Sequence, residues 1–210
     1  QYTLMSYFDE SSSGAQFFGY PETPMLFDMY AAQQIYGVNS ATRSGNTVYG
    51  FNTNAGSLYD FSTNVNASFT IWDGGGIDTI DASGYSTTQV INLAEGVFST
   101  VGNSLNNLVI ALGAVIENAV GGAFGDTING NDAANNLNGG AGNDTLSGGA
   151  GTDTLVLGNG TDVATGGTGV DDFRLQFVST AGVHAGQLTD IVVGETISWT
   201  ALQSSIVSGN

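Results

Sequence analysis

The chain of 210 residues has no cysteine and no lysine, two prolines, and only two basic residues, Arg43 and Arg174. Each absence closes off a class of chemistry. Without cysteine there are no disulfides, thiolate metal sites or thiol nucleophiles, a pattern that suits a bacterial secreted protein. Nucleic acid and anionic membranes are excluded as partners, because both are bound by exchanging counterions for Lys and Arg. The longest apolar stretch, around 108–112, is far below the roughly 20 residues a membrane-spanning helix needs. The opening Gln1-Tyr2-Thr3-Leu4-Met5 has no initiator methionine and no basic-then-apolar signal pattern. The chain is therefore read as beginning inside a longer protein.

What charge there is has one sign. Ionic residues make up 10% of the chain, 19 acidic against 2 basic, for a formal net charge of −17. A globular domain ordinarily carries about 25% ionic residues with the signs mixed. Acids with so few bases to oppose them call for another neutraliser, and metal cations are the natural one. Hydrophobic residues, at 41%, suffice for a packed core.

The texture changes along the chain. Residues 1–45 hold both prolines, all three methionines and the one helical pattern. From Pro24 to Tyr36, apolar side chains fall at 25, 26, 29, 32/33 and 36; Pro24 suits the entry and Gly37 the C-terminal cap. Residues 46–120 read as short strands broken by Gly, Asn and Ser, at Thr47–Phe51, Ser68–Trp72, Gln89–Leu93, Leu108–Leu112 and Ala114–Glu117.

From Gly121 the sequence repeats every nine residues through 174. The first register is glycine at 121, 130, 139, 148 and 166, with Leu157 as the exception. The sixth is Asp126, Asn135, Asp144, Asp153, Asp162 and Asp171; the eighth is Ile128, Leu137, Leu146, Leu155, Ala164 and Phe173. A disordered Gly/Asn linker would lock neither the acidic nor the aliphatic register. Each unit divides into a six-residue glycine loop ending in Asp and a three-residue strand with one inward side chain. Such a strand buries almost nothing alone, so copies must stack. Two units complete a flattened coil with a parallel sheet on each side, its strands about 4.8 Å apart.

That coil sorts the sixth register into two columns: Asp126, Asp144 and Asp162 on one edge, Asn135, Asp153 and Asp171 on the other. Carboxylates roughly 5 Å apart repel by about 3 kcal/mol per pair at an effective dielectric near 20. A cation between successive loops reverses the sign. The donors are all oxygen, which selects calcium over zinc or copper and couples folding to metal.

The nonapeptides are those of the repeats-in-toxin proteins, and the chain resembles the C-terminal half of a serralysin-type secreted bacterial zinc metalloprotease, a metzincin. Three stretches carry the likeness: Gln1 to Tyr7, similar to the family's Met-turn; Met25 to Gly37, similar to the helix after it; and Thr42-Arg43 through Thr47 to Phe51, leading to Trp72 to Asp81, similar to the entry of its β-roll. The resemblance implies a mainly β fold, a parallel β-roll preceded by the Met-turn and one helix. Residues 1–45 would close a catalytic domain, and 46–210 would form a calcium-binding β-roll and β-sandwich domain.

It further implies that Met5 lies beneath a catalytic zinc and that Tyr7 approaches the metal and serves the oxyanion. The H-E-x-x-H-x-x-G-x-x-H signature of the zinc ligands is absent. His184, the single histidine, reads as a surface residue. This chain alone therefore lacks the zinc chemistry, and the ligand helix is expected upstream.

The family's calcium ligands carry over by position. Arg43, Gly45 and Thr47 (through carbonyls) with Asp73, Gly75 and Asp78 resemble a first site; Glu117, Gly122 and Asp126 resemble the one that opens the roll. Asn131, Ala133 and Asn135 occupy the second loop, where Asn135 replaces a carboxylate and weakens the site. In later units the positions are Gly139, Gly140, Gly142 and Asp144; Gly148, Gly149, Gly151 and Asp153; Gly160 and Asp162; and Gly167, Gly169 and Asp171. Phe124 and Leu157 depart from the glycine pattern.

Implied partners are protein or peptide substrates, the missing N-terminal catalytic part and a periplasmic protease inhibitor, with extracellular localisation by type I export. Leu188 to Glu195 resembles only the start of the family's C-terminal export region. The repeats alone fit equally a non-catalytic calcium-binding module of an adhesin, toxin or surface-layer protein. A lipase of the same repeat class would need a G-x-S-x-G elbow, which is absent.

Overall fold

Short segments of Thr, Val, Ile, Leu and Asn between glycine turns favour brief strands over helices, and the structure follows that preference. A computed structural model describes residues 22–177, 187–189 and 194–201; the Met-turn stretch with Met5 and Tyr7, and His184, lie outside the described residues. The helix α1 spans Leu26–Tyr36. Strands follow as β1 (Val48–Gly50), β2 (Phe69–Ile71), β3 (Thr79–Asp81), β4 (Val90–Asn92), β5 (Phe98–Ser99), β6 (Leu108–Ile110), β7 (Asn118–Val120) and β8 (Thr127–Asn129). The series continues with β9 (Asn136–Asn138), β10 (Thr145–Gly151), β11 (Thr154–Leu157), β12 (Val163–Gly169), β13 (Asp172–Phe177), β14 (Gln187–Thr189) and β15 (Thr196–Ala201).

Two parallel sheets run the length of the coil, in the orders β1-β3-β7-β9-β11-β13-β15 and β14-β12-β10-β8-β4. In the repeat region the register advances by eighteen residues per step: Leu137 beside Leu155 beside Phe173, and Ile128 beside Leu146 beside Ala164. The β-roll and its two-unit coil are therefore as the nine-residue period predicts. Before the repeats the coils are longer. Tyr49 stands beside Ile80 and Ile80 beside Ala119, steps of 31 and 39 residues. The extra length forms a third sheet, β2-β6-β5, in which only the β5–β6 pair is antiparallel.

One inward side chain per strand builds the core. Tyr49, Ile80, Ala119, Leu137, Leu155 and Phe173 from one sheet face Ile91, Ile128, Leu146 and Ala164 from the other, all without solvent exposure. Around the early coils an aromatic cluster thickens this core. Tyr59 meets Tyr49 and Phe69 edge-on at 5.1 and 4.8 Å between ring centroids, and Phe51 meets Tyr85 at 5.0 Å.

Two expectations need correction. Ala114–Glu117 is not a strand; Ala114 and Ile116 are buried, but the Ile116 carbonyl accepts the Asn131 side-chain amide at 2.9 Å instead of joining a ladder. The neighbouring strand is β7, which alternation did not reveal, and β3 and β5 were likewise not predicted. The helix has its expected ends. Met25 N–H donates to Asp28 Oδ2 at 3.1 Å, and Gly37, at φ +82°, donates to the Gln33 carbonyl. Its apolar stripe meets the core only through Met25, Leu26 and Met29, whereas Tyr36 is 86% exposed. Beyond the first turn, Gln33 Nε2 ties the helix to the Leu112 carbonyl at 3.1 Å.

Candidate metal-binding site

The residue just before each strand stands at the edge of the coil, and successive coils stack these residues into two columns. Along the first column, Gln89 N–H donates to Asp126 Oδ1 (2.6 Å), Asp126 N–H to Asp144 Oδ1 (2.9 Å) and Asp144 N–H to Asp162 Oδ1 (2.9 Å). Along the second, Thr47 N–H donates to Asp78 Oδ1 (2.7 Å) and Asp78 N–H to Glu117 Oε2 (2.8 Å). Further on, Asn135 N–H donates to Asp153 Oδ1 and Asp153 N–H to Asp171 Oδ1, at 2.8 and 2.9 Å. Each acid thus spends one oxygen on the backbone of the coil before it.

The other oxygen is left over. Oδ2 of Asp78, Asp144, Asp153 and Asp171 is buried with no hydrogen-bond partner, an arrangement that costs of order 1–3 kcal/mol per group and more when charged. Burial, opposed by the backbone N–H bond and reinforced by the neighbouring acids, pushes Asp144 up to about 6. Asp153 and Asp78 are each pushed to about 6 by the same balance, with Asp73 and Glu117 as the acids near Asp78. Asp126 is raised by burial as well, but its two oxygens accept from Gln89 and Gly122 N–H groups, and both bonds oppose the shift.

The glycines are explained by what faces them. A Cβ at Gly139, Gly148 or Gly166 would land on Oδ2 of Asp144, Asp153 or Asp171, respectively. A Cβ at Gly158, Gly160, Gly167 or Gly169 would land on the carbonyl oxygen of Gly140, Gly142, Gly149 or Gly151, one coil earlier. Gly140, Gly142, Gly149, Gly151, Gly160, Gly167 and Gly169 have positive φ. Carboxylate and carbonyl oxygens therefore crowd together along both edges, in cradles that any side chain at those positions would fill. Such a donor set of hard oxygens suits calcium, and the orphaned Oδ2 atoms have the charge to receive it. Among the described residues no three His, Asp or Glu side chains converge, so a cation here would take most of its ligands from carbonyls.

The first predicted site assembles around two facing loops. Asp73 Oδ1 accepts Gly75 N–H at 2.9 Å and its Oδ2 accepts the Tyr49 hydroxyl at 2.6 Å. A Cβ at Gly76 would lie 2.7 Å from the Gly45 carbonyl oxygen and 2.9 Å from Asp78 Oδ1. Glu117 is not brought to Gly122 and Asp126. It belongs to the column of Asp78, while Asp126 belongs to the opposite one. In the second loop the Asn135 carboxamide accepts from Asn131 N–H and donates to the Glu117 carbonyl, at 2.8 and 2.9 Å. The Asn131 carboxamide bridges the Leu93 and Ile116 carbonyls at 3.1 and 2.9 Å.

Of the two departures, Phe124 is 53% exposed with no positive φ, whereas Leu157 is fully buried and lengthens β11. Sequence reasoning missed that both columns extend before Gly121, through Gln89 and through Thr47, Asp78 and Glu117. The signal was available as one polar residue preceding each strand, at irregular spacing.

Comparison with known proteins places the chain in a family. The serralysin of Proteus mirabilis is 49% identical over 138 residues, 64% of this chain and 28% of that protein. Metalloprotease AprA of Pseudomonas entomophila is 46% identical over 141 residues, covering 64% of this chain and 29% of its own length. Serralysin C of Dickeya chrysanthemi is 50% identical over 133 residues, 61% of this chain and 27% of that protein. The matches span less than a third of each relative. The family described as Peptidase M10 serralysin C terminal matches residues 38–196, more than half of the chain, and the chain belongs to that family.

Proposed function

We propose that this chain is the C-terminal part of a secreted, calcium-dependent zinc metalloendopeptidase, and that its β-roll binds several calcium ions that order the coil, stabilise the enzyme and aid type I export. The observation that carries the calcium reading is the buried, partnerless Oδ2 of Asp144, Asp153 and Asp171, each in space that a Cβ on the first glycine of its unit would fill, with the Gly166 carbonyl beside that of Asp153. The ligands are the sixth-register acids with loop carbonyls of the glycines named above, and Asp73, Asp78 and Glu117 with the carbonyls of Arg43, Gly45 and Thr47 in the early coils.

The relatives named serralysin and metalloprotease support the peptidase reading. Protein or peptide chains are then the substrates and the extracellular space the place of action. Zinc in the parent enzyme supplies an activated water. In this chain Tyr7 is assigned to the oxyanion and Met5 to the floor of the zinc site. Residues 1–45 belong to the catalytic body and 46–210 to the calcium-binding domain. The exposure of Tyr30, Ile35, Tyr36 and Val38 along and after α1, between 43 and 86%, supports placing that helix against upstream polypeptide.

Calorimetric titration of the chelated chain with calcium tests the proposal. Several equivalents should bind, with a gain of β signal in circular dichroism. Asp144→Asn or Asp153→Asn should weaken binding about tenfold or more. A chain that binds no calcium, or whose β signal is the same in chelator as in calcium, overturns the calcium reading.

A further inference from the structure

In a chain with 19 acids and two bases, each base could be expected to face a carboxylate. Arg174 does, through Nε to Asp172 Oδ2 at 2.6 Å, the only ion pair among the described residues. Arg43 does not. Its guanidinium stacks on the Tyr59 ring at 4.6 Å and lies 5.9 Å from the centroid of Tyr49, and Nη1 donates to the Trp72 carbonyl at 2.8 Å. The cation is thus held on aromatic faces and a carbonyl, with no ion pair to Asp73 or Asp78.

These contacts sit between the two loops of the first candidate site. Arg43 has φ +50°, a left-handed conformation that a residue other than glycine seldom adopts. Its side chain reaches across to Trp72, the residue before Asp73. Next to it, Gly74 N–H donates to the Thr42 carbonyl at 2.7 Å, and Trp72 Nε1 donates to the Asn39 carbonyl at 3.1 Å. The fully buried Tyr49 completes the arrangement by donating its hydroxyl to Asp73 Oδ2 at 2.6 Å. One aromatic pair, Tyr49 and Tyr59, thereby fixes the loop of 43–47 through Arg43 and the acid of the loop of 73–78 through Asp73.

We propose that the Arg43 and Tyr49 side chains are positioning residues for the first calcium site. They lock the two loops face to face, so that the carbonyls of residues 43 and 45 and the carboxylates of Asp73 and Asp78 are arrayed before a cation arrives. The guanidinium does this without competing for the site, because it is turned onto the rings. Pre-ordering lowers the entropy cost of binding, so the first site fills at lower calcium than the loops of the repeats. The proposal rests on the calcium reading above.

The test is hydrogen exchange of the full chain, read by peptide across a calcium titration. In the unaltered chain the segments around 43–49 and 73–81 should gain protection at lower calcium than the segment 139–171. Tyr49→Phe keeps the ring and removes the hydroxyl; Arg43→Lys keeps the charge and removes the planar stack. Each should raise the calcium midpoint of the first two segments about tenfold while leaving that of 139–171 unchanged. The proposal is overturned if neither variant moves the first midpoint, or if both midpoints move together, which marks general destabilisation. An unaltered chain whose protection ignores calcium throughout removes the calcium reading itself, and the proposal with it.

Discussion

Residues 47–120 and residues 121–174 are two versions of one coil, and they manage buried acids in opposite ways. In the earlier part, coils of 31 and 39 residues have chain to spare. Protein donors cover most acids there: Asp81 accepts from Asn52 and Ser83, and Asp73 from Tyr49 and Gly75. Eighteen-residue coils have no such spare segments. Their loops are rich in glycine, most of their strands hold one inward side chain, and Oδ2 of Asp144, Asp153 and Asp171 is left without a donor. Shortening the coil removes the side chains that would satisfy the acid, which on the calcium reading leaves that oxygen to a cation. Asp78, with its own orphaned Oδ2, is the early coil's exception, and it lies in the candidate site there.

The largest expected effect separates the two parts outright. Chelation at neutral pH should abolish exchange protection through 121–174, whereas amides around Tyr59, Phe61 and Phe69, outside the two loops of the first candidate site, keep most of theirs. Equal loss in both parts would show one cooperative unit and erase the distinction.

Core truncations should sharpen it. Phe61 and Leu155 are both fully buried, and replacement by Ala should cost roughly 3–5 and 2–5 kcal/mol, respectively. The cost at Phe61 should be measurable with or without calcium in denaturant unfolding. That at Leu155 should be measurable only with calcium if, as proposed, the roll folds only with the cation bound. A Leu155→Ala cost that persists in chelator would count against cation-dependent folding of the repeats.

How far the sequence foretold this structure follows the same division. A strict nine-residue period gave the repeat coil, its step of eighteen, both columns and the eighth-register inward residues from Ile128 to Phe173, though not the buried Leu157, since one register determines the others. The early coils were legible only in part. Their steps are unequal, so nothing aligned Thr47, Asp78, Glu117 and Gln89 with the later acids, although the backbone treats them alike. Strand β3 hid in Thr79–Asp81 because its neighbours are the acids and glycines of a loop. The helix stripe misled at Tyr36, for spacing marks a face but not the length over which a core meets it.

Acidity provides a third probe, of the metal-free chain. Asp144 and Asp153 are raised to about 6, chiefly by burial. A carboxyl whose folded value lies above its unfolded one contributes stability below the ordinary range near 4, and this is lost as pH rises through about 6. Chelated protein should therefore regain β signal in 121–174 on acidification from pH 7 to 4. Calcium-loaded protein should show the opposite trend, since protons compete with the cation. A chelated chain with the same signal at both values would refute the raised carboxyls.

The smallest effect is the most discriminating, because it sets one glycine against another. A methyl at Gly148 would meet Asp153 Oδ2 and the Gly166 carbonyl, both against rigid neighbouring coils, whereas at Gly45 nothing lies within 4 Å and φ is not positive. Gly148→Ala should thus cost about 1–3 kcal/mol in the calcium-loaded state, the range for overpacked sites. Gly45→Ala should stay within about 0.5 kcal/mol, or even stabilise slightly by restricting the unfolded chain. Thermal melts of both variants in saturating calcium would decide. If Gly148→Ala melted with the unaltered chain, the edge of the roll would have room to spare, and crowding of oxygens there could no longer explain either the glycines or the need for a cation.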